Sequence, residues 1–295
     1  MMQKKVLKNI IHYNDCWFRN CFYQQLVAAY GAFGIPADYV VCNYTIDIDF
    51  SDDNETLDIR EHEILDEDEF SALTGICQKR VRFEDVCKQL CTAVRSGNPV
   101  ILGADSFYLP TRTQYYNQKH APHYLLVYEF DLKRKIFTVG ENDRIAIFHF
   151  TEKEVPFDVI EQTYHSFEER FASPDSAVQL EIAKKCPLYL RADALNKLKK
   201  DFCERNYIQY VSFYRMLLEK SWTVEELSSW LEFAIKYTNF FRILMKQCSY
   251  MFGEPKKLNV LADIWHDALS SLEILKDAIR LGQPELMNSE RNEKI

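Results

Sequence analysis

The 295-residue chain contains only eight glycines, and none of them stands in a pattern that binds phosphate or positions a catalytic serine. No G-x-G-x-x-G motif, Walker loop or G-x-S-x-G motif is present. These absences argue against Rossmann-type dinucleotide enzymes, P-loop NTPases and serine hydrolases.

Cysteine is plentiful, but no two cysteines are spaced C-x-x-C. The nine cysteines therefore show neither a zinc-knuckle nor a thioredoxin-type pattern. We predict that most of them are reduced, small apolar side chains inside the protein. We expect neither a metal site nor a cofactor.

Long apolar runs are also missing. No segment reaches 18 consecutive apolar residues, the length that marks a membrane-spanning helix. The first residues carry charge but lack an apolar run followed by small residues, so the sequence predicts no secretory signal. With 47% hydrophobic and 27% charged residues, we expect a globular cytoplasmic protein that has no membrane partner.

The net charge of −8 is distributed unevenly along the chain. Residues 47–69 hold twelve carboxylates and one arginine, a local charge of −11, which leaves +3 for all other residues. A nucleic-acid binder needs a coherent basic face, so we expect no nucleic-acid partner. The acidic run is typical of a solvated loop or an edge hairpin, and a site for a cation or an amine is the alternative.

Short helical and strand patterns alternate over the first 170 residues. This alternation predicts an α+β domain with helices over 16–30, ending at Gly31, and over 82–96. The expected strands, with the third and fourth forming a hairpin, are 40–50, 99–104, 123–130, 135–139 and 145–150.

Long helical patterns dominate the rest of the chain. They cover 192–220, 223–252 and 255–281. We therefore predict a catalytic domain over 1–170 and an all-helical domain over 171–295, with 171–177 as the linker.

One arrangement of residues points to nucleophilic catalysis. Cys16 stands at the mouth of the first predicted helix, His123 opens a strand, and Glu141, Asn142 and Asp143 follow the next strand. A helix N-terminus and a nearby histidine lower the pKa of a thiol, and the thiolate is the reactive species. The order cysteine, histidine, polar residue is that of papain. Two alternatives remain open. Cys16 can serve only the structure, and the histidines of H-x-x-H can be a pair that packs in a loop or half of a metal site.

The strongest motif is D-x-F-x-L-P over 105–110, followed by Tyr116 and by H-x-x-H at His120 and His123. This pattern resembles the N-terminal domain of the butirosin biosynthesis protein H family, over about residues 10–165. The resemblance implies a C39-like, papain-type fold. It also implies an acyltransferase or amide synthase that moves an acyl group from a carrier-protein thioester, through an acyl-cysteine, to an amine.

The resemblance also implies the roles of single residues. It makes Cys16 the nucleophile, but the spacing from Cys16 to Gly31 is about two residues longer than in the family, so Cys21 is the alternative. We expect His123 rather than His120 to be the base, because the hairpin partner of its strand carries the polar residues. Glu141 stands where the family has aspartate, so the three residues of 141–143 stay unranked.

Further residues are expected around the reacting atoms. Asn14 or Asn9 would join the Cys16 N–H in binding the oxyanion. Asp105 would bind the amine, with a strand-terminal Asx turn as the alternative. We expect the remaining substrate contacts to come from Tyr108, Tyr116 and His120. For the two tyrosines, ordinary packing within the loop is the alternative.

There are two rival interpretations. The first is a peptidase or thioesterase of the same fold, and the second is a non-catalytic binding protein. Lys197, Lys199 and Lys200 belong to a basic cluster that would dock an acidic acyl or peptidyl carrier protein, whose phosphopantetheine carries the acyl group. A solvated face is the alternative for that cluster.

Overall fold

The computed structural model shows a mixed α+β protein. It describes residues 3–14, 20–50, 57–143, 149–171, 173–183 and 191–202, and positions 223, 231, 234–235, 238, 260, 263, 266–267, 270–274, 276–277 and 279. The chain divides into two compact units, one comprising 1–43 and 63–198, the other 44–62 and 199–295. The expected α+β class is confirmed.

The strands and helices follow one another along the chain, and a 3₁₀ turn at Ser106–Tyr108 follows the fifth strand. In chain order they are β1 (Lys4–Val6), α1 (Cys21–Gly31), α2 (Ala37–Cys42), β2 (Thr45–Phe50), β3 (Leu57–His62), α3 (Glu67–Thr74), β4 (Ile76–Arg80), α4 (Val86–Arg95), β5 (Val100–Asp105), β6 (Pro122–Asp131), β7 (Ile136–Asp143), β8 (His149–Pro156), α5 (Phe157–Phe171) and β9 (Ala177–Ile182).

A seven-stranded antiparallel sheet forms the first unit. Its order is β4-β9-β5-β6-β7-β8, and β1 pairs with β6. Every residue of β5 is buried, as are Leu125–Val127 in β6, which explains why these strands are continuous apolar runs rather than alternating ones. The expected β6–β7 hairpin is confirmed. In its turn the Asp131 carboxylate accepts the backbone N–H groups of Lys133 and Arg134.

The start of α1 differs from the sequence prediction. Asn20 has an extended backbone and its side chain accepts the N–H of Tyr23, so it caps a helix that begins at Cys21. The helix predicted over 16–30 therefore begins at Cys21, five residues after its predicted start. It ends as predicted at Gly31, where a Cβ atom would collide with the side chain of Ile11 and the carbonyl of Asn9.

The segment 40–50, predicted to be one extended arm, is divided. Its first residues finish α2, which begins after Pro36 and ends before Asn43. The side chain of Asn43 binds both backbone groups of Leu65, so the chain leaves the helix there. Residues from Thr45 then pair with β3 in a separate two-stranded sheet, so the acidic run forms a hairpin up to His62, whereas its last carboxylates, from Asp66 to Glu69, cap and begin α3.

The predicted domain boundary at 170 falls at the end of α5, inside the first unit. Residues beyond it form β9, which pairs with both β4 and β5. The predicted linker over 171–177 thus leads from α5 into the same sheet, where the Ser176 carbonyl accepts the N–H of Gly103. The first unit continues to Leu198.

Helix is also found in the second half of the chain, where it was expected. Residues 191–202 are helical, and so are the described positions from 231 to 279; the other residues of the three predicted helices lie outside the described part. Among the described residues, no helix is both long and apolar enough to cross a bilayer.

The described cysteines are in two states. Cys42 is disulfide-bonded, whereas Cys21, Cys77, Cys87 and Cys91 are free.

Candidate active site

Buried polar side chains gather at one end of the large sheet. Because β5, β6 and β7 are antiparallel neighbours, the end of β5, the start of β6 and the end of β7 lie at the same edge. This edge carries Asp105, His123, Glu141 and Asn142, all of them buried. Burying so many polar groups together is unfavourable unless they are paired, and such clusters occur preferentially at functional sites.

His123 faces a carboxylate across this edge. Its Nε2 lies 3.7 Å from Oε1 of Glu141, and the two side chains are 3% and 2% exposed. Asn142 turns toward α1 instead, where its Oδ1 accepts a hydrogen bond of 3.2 Å from Nε2 of Gln25. The side chain of Asp143 lies outside the described residues. Of the three polar residues predicted to orient the histidine, the structure brings Glu141 to it.

Arg112 joins the same group, although no sequence motif singled it out. Its Nε is 3.6 Å from Oε1 of Glu141, and its Nη1 donates to the Asn142 carbonyl at 2.8 Å. The side chain is only 10% exposed and its guanidinium lies over the ring of Tyr115. An arginine in a polar loop gives no sequence signal of burial, so only the folded loop identifies it.

Cys21 brings a thiol to this end of the sheet. It is the first residue of α1, and the backbone of Tyr124, next to His123, is among the groups that stabilise its thiolate. Burial raises the pKa of this thiol, while the Tyr124 hydrogen bond and the charge of Arg112 oppose the rise without cancelling it. Gln25, one turn later on the same helix face, reaches Asn142. The thiol is therefore mainly protonated at neutral pH and needs a base to become a nucleophile.

The predicted nucleophile Cys16 lies outside the described residues. Of the two expected oxyanion donors, Asn14 uses its Oδ1 to accept the N–H of Phe150, which ties the N-terminal segment to β8. Asn9 has a left-handed backbone with φ of 63°, and its carbonyl approaches Gly31. In these contacts both asparagines hold the N-terminal segment in place.

Asp105 is enclosed by donors from three directions. Its Oδ1 accepts the N–H groups of Phe107 and Ala121, and its Oδ2 accepts the hydroxyl of Ser166. Oδ2 also lies 2.6 Å from Nδ1 of His120. Burial opposes ionisation, but the hydrogen bonds outweigh it and hold the pKa of Asp105 below its usual range. The turn with Phe107 is the Asx turn named as the alternative, and the buried carboxylate has no surface of its own for an amine.

His120 is the exposed end of this network. Its ring stacks on Phe107 with centroids 4.3 Å apart and meets the edge of Tyr108 at 6.1 Å. The His120 side chain is 33% exposed. Tyr116 is 39% exposed and its backbone N–H binds the Arg112 carbonyl. The structure thus places Tyr108 beside His120, and Tyr116 at the surface of the same loop.

The three lysines that were predicted to dock a carrier protein lie in different surroundings. Lys197 forms an ion pair of 2.6 Å with Glu69 of α3, where both side chains are well exposed to solvent. Lys200 is exposed and Lys199 is half-buried. In the described part of the chain, no three histidine, cysteine or acidic side chains are grouped so that they could hold a metal ion.

No protein-family model matches the chain, and no curated protein matches it either. The resemblance to the butirosin biosynthesis protein H family therefore stays a prediction.

Proposed function

We propose that the chain is a cysteine-dependent acyltransferase, or amide synthase, with a papain-type catalytic arrangement. The observation that carries the proposal is the His123–Glu141 pair, buried at the sheet end that also receives the N-terminus of α1. A histidine paired with a carboxylate, at the sheet end that also receives a cysteine at a helix start, supplies the groups that activate a thiol.

Each member of the group has one role in the first half-reaction. His123 removes the proton of the cysteine thiol, and Glu141 orients the ring and stabilises its positive charge. Arg112 holds Glu141 and the end of β7 in position. The separation of 3.7 Å exceeds a hydrogen bond, and such contacts commonly tighten when substrate binds.

Cys21 is the nucleophile that the geometry supports. It is the first residue of α1, and the backbone next to His123 and the charge of Arg112 both favour its thiolate. Because the pKa of the Cys21 thiol is raised, the thiol is not ionised in the resting enzyme, and His123 has to remove its proton during the reaction. Cys16, the nucleophile predicted from the sequence, is the alternative that the experiment below separates from it.

The proposed substrates are an acyl thioester and an amine. The thiolate attacks the thioester carbonyl, a carbon–sulfur bond to the enzyme forms, and the carrier thiol leaves with the proton that His123 had taken. An amine then attacks the acyl-cysteine and the enzyme thiol is restored. The donor would be a carrier protein loaded through phosphopantetheine.

Intact-mass spectrometry with acyl thioesters of N-acetylcysteamine tests this proposal. We expect an acyl adduct on the wild-type protein and on Cys16→Ala, but none on Cys21→Ala or His123→Ala. The reverse pattern for the two cysteines would assign the reaction to Cys16. If the wild type forms no adduct with any acyl chain, the chain is not an acyltransferase and the rival of a binding protein is favoured.

Competition between water and an amine then separates the two enzyme classes. With benzylamine present, an amide synthase releases the acyl group mainly as the amide. A peptidase or thioesterase would release it as the free acid.

A further inference from the structure

The site contains two histidine–carboxylate pairs, whose histidines are three residues apart in the sequence. We propose that the second pair, His120–Asp105, activates the acceptor: His120 takes the proton from the amine that attacks the acyl-cysteine. This inference rests on the proposed function and divides its two half-reactions between two bases, with His123 serving the thiol and His120 serving the amine.

The first support is the way in which Asp105 orients the ring. The Asp105 carboxylate is fully buried and ionised, and a carboxylate can only accept hydrogen bonds, so Nδ1 of His120 carries the proton in their 2.6 Å contact. This leaves Nε2 as the basic nitrogen. Within the described part of the chain, no hydrogen bond to Nε2 of His120 is found. An imidazole in this tautomer is ready to accept a proton from a substrate.

The second support is the rigidity of the pair. Four protein donors hold the Asp105 side chain, and Thr163 of α5 also binds its backbone carbonyl at 2.7 Å. The ring of His120 lies flat on Phe107. Contacts from α5 thus hold Asp105, and stacking on Phe107 holds His120. A base that must meet a substrate atom in one geometry has to be held in this way.

The third support is the contrast in accessibility between the two histidines. His123 is 3% exposed and His120 is 33% exposed. A base for a thiol of the same chain needs no contact with solvent, whereas a second substrate must arrive from solution. Both pairs lie at the same end of β5 and β6, because Ala104 is paired with His123 and Asp105 with Pro122.

The proton balance of the second half-reaction requires such a group. When a neutral primary amine attacks the thioester carbonyl, a carbon–nitrogen bond forms and the nitrogen acquires a positive charge. His120 removes one N–H proton, the carbon–sulfur bond breaks, and the electron pair returns to the cysteine sulfur. The amide is released, and the imidazolium passes its proton to the thiolate or to solvent. No oxidant or further reactant is needed.

The surroundings of His120 also indicate the kind of amine. Phe107 and Tyr108 are half-buried aromatic rings at the same place, and the charge of Asp105 is opposed by Arg170, whose Nε lies 3.9 Å from Oδ2. We expect a primary amine carried on an apolar or aromatic group, which can pack against these rings.

The test uses the full chain and follows the two half-reactions separately. His120→Ala should form the acyl adduct at close to the wild-type rate, but transfer it to benzylamine about 10²-fold more slowly, the usual loss for a general base. Added imidazole should restore part of the transfer rate, which it cannot do for a side chain that only supports the fold. His165→Ala, which removes an exposed histidine on α5, is the matched control and should transfer normally.

Three results would overturn the inference. Wild-type transfer in His120→Ala would show that the ring takes no part, and loss of adduct formation would make His120 the base for the thiol. A slow transfer that imidazole does not restore would give the ring a structural role. If the wild type forms no adduct at all, the proposed function itself fails, so the two failures are distinguishable.

Discussion

Gln25 and Asn142, separated by 117 positions in the sequence, are joined by a buried side-chain hydrogen bond of 3.2 Å. This bond links α1 to the last residues of β7. It fixes the distance between the element that carries Cys21 and the strand that carries Glu141. The alignment of the proposed nucleophile with the proposed base therefore depends on two neutral amides that take no part in the chemistry.

Breaking this bond should destabilise the protein. In Gln25→Leu or Asn142→Leu one buried amide loses its partner, so we expect each to lower the free energy of unfolding by about 1–3 kcal/mol. The double variant removes both polar groups and should cost less than the sum of the single losses. Urea unfolding of the four proteins measures the coupling. Strictly additive losses would show that the two side chains act independently.

The raised pKa of Cys21 predicts slow alkylation at neutral pH. Only the thiolate reacts with iodoacetamide, so the rate of Cys21 modification should still be rising above pH 9, where an ordinary thiol is already half ionised. Arg112 lowers the pKa of Cys21, so Arg112→Met should shift the rise to still higher pH. Peptide mapping after timed labelling gives the rate for each cysteine. A plateau below pH 8 would contradict the burial of the thiol.

Asp105 predicts a dependence of stability on acid. The pKa of Asp105 is lowered in the folded state, so its contribution is fully present above the unfolded value near 3.8 and is lost as the pH falls through the folded value. The stability difference between the wild type and Asp105→Asn should therefore be constant above about pH 5 and shrink below pH 4. Chemical unfolding at several pH values measures it. A difference that grows toward low pH would reverse the assigned sign.

Gly103 in β5 is required by close packing. A Cβ atom there would collide with the ring of Phe167 in α5, so Gly103→Ala should destabilise the protein by about 1–3 kcal/mol. Adding Phe167→Leu should recover part of this loss, because the smaller side chain makes room for the methyl group. Thermal unfolding of the single and double variants tests the relation. An unchanged melting temperature in Gly103→Ala would refute it.

The basic cluster gives a prediction for the donor. Reversing the charges at Lys197, Lys199 and Lys200 should raise the apparent KM for a carrier-bound acyl group, and should leave a small thioester almost unaffected. The effect should weaken with added salt, because surface charges are screened beyond roughly 8–10 Å at physiological ionic strength. An equal loss with both donors would show that the lysines support the fold, for example through the Lys197–Glu69 pair.

The sequence was a good guide to the central strands and a poor guide to where elements begin. β5, β6 and β7 are apolar runs bounded by turn residues, so their pattern is local. The start of α1 depends on Asn20, a capping residue inside an otherwise helical pattern. β9 was not predicted, because its short AVQLEI segment follows a stretch that resembles a linker.

The candidate site was predictable only where residue type and position agreed. His123 and Glu141 each stand at the end of a predicted strand, and antiparallel pairing alone brings such ends together. Arg112 and Gln25 had no such signal, since a loop arginine and a helical glutamine are usually solvated. The hydrogen bond from Ser166 to Asp105 forms because α5 packs against the end of β5, and no local sequence pattern predicts that packing.

The position of β9 constrains the order in which the chain can be assembled during synthesis. β4 and β5 are not neighbours; β9 lies between them, although it is the last of the seven strands to leave the ribosome. Neither β4 nor the outer edge of β5 can complete its backbone hydrogen bonds until residue 182 has emerged. Such pairing over about 100 residues is a slow step in folding. A nascent chain stopped before that point would present two unpaired strand edges to chaperones and to other nascent chains.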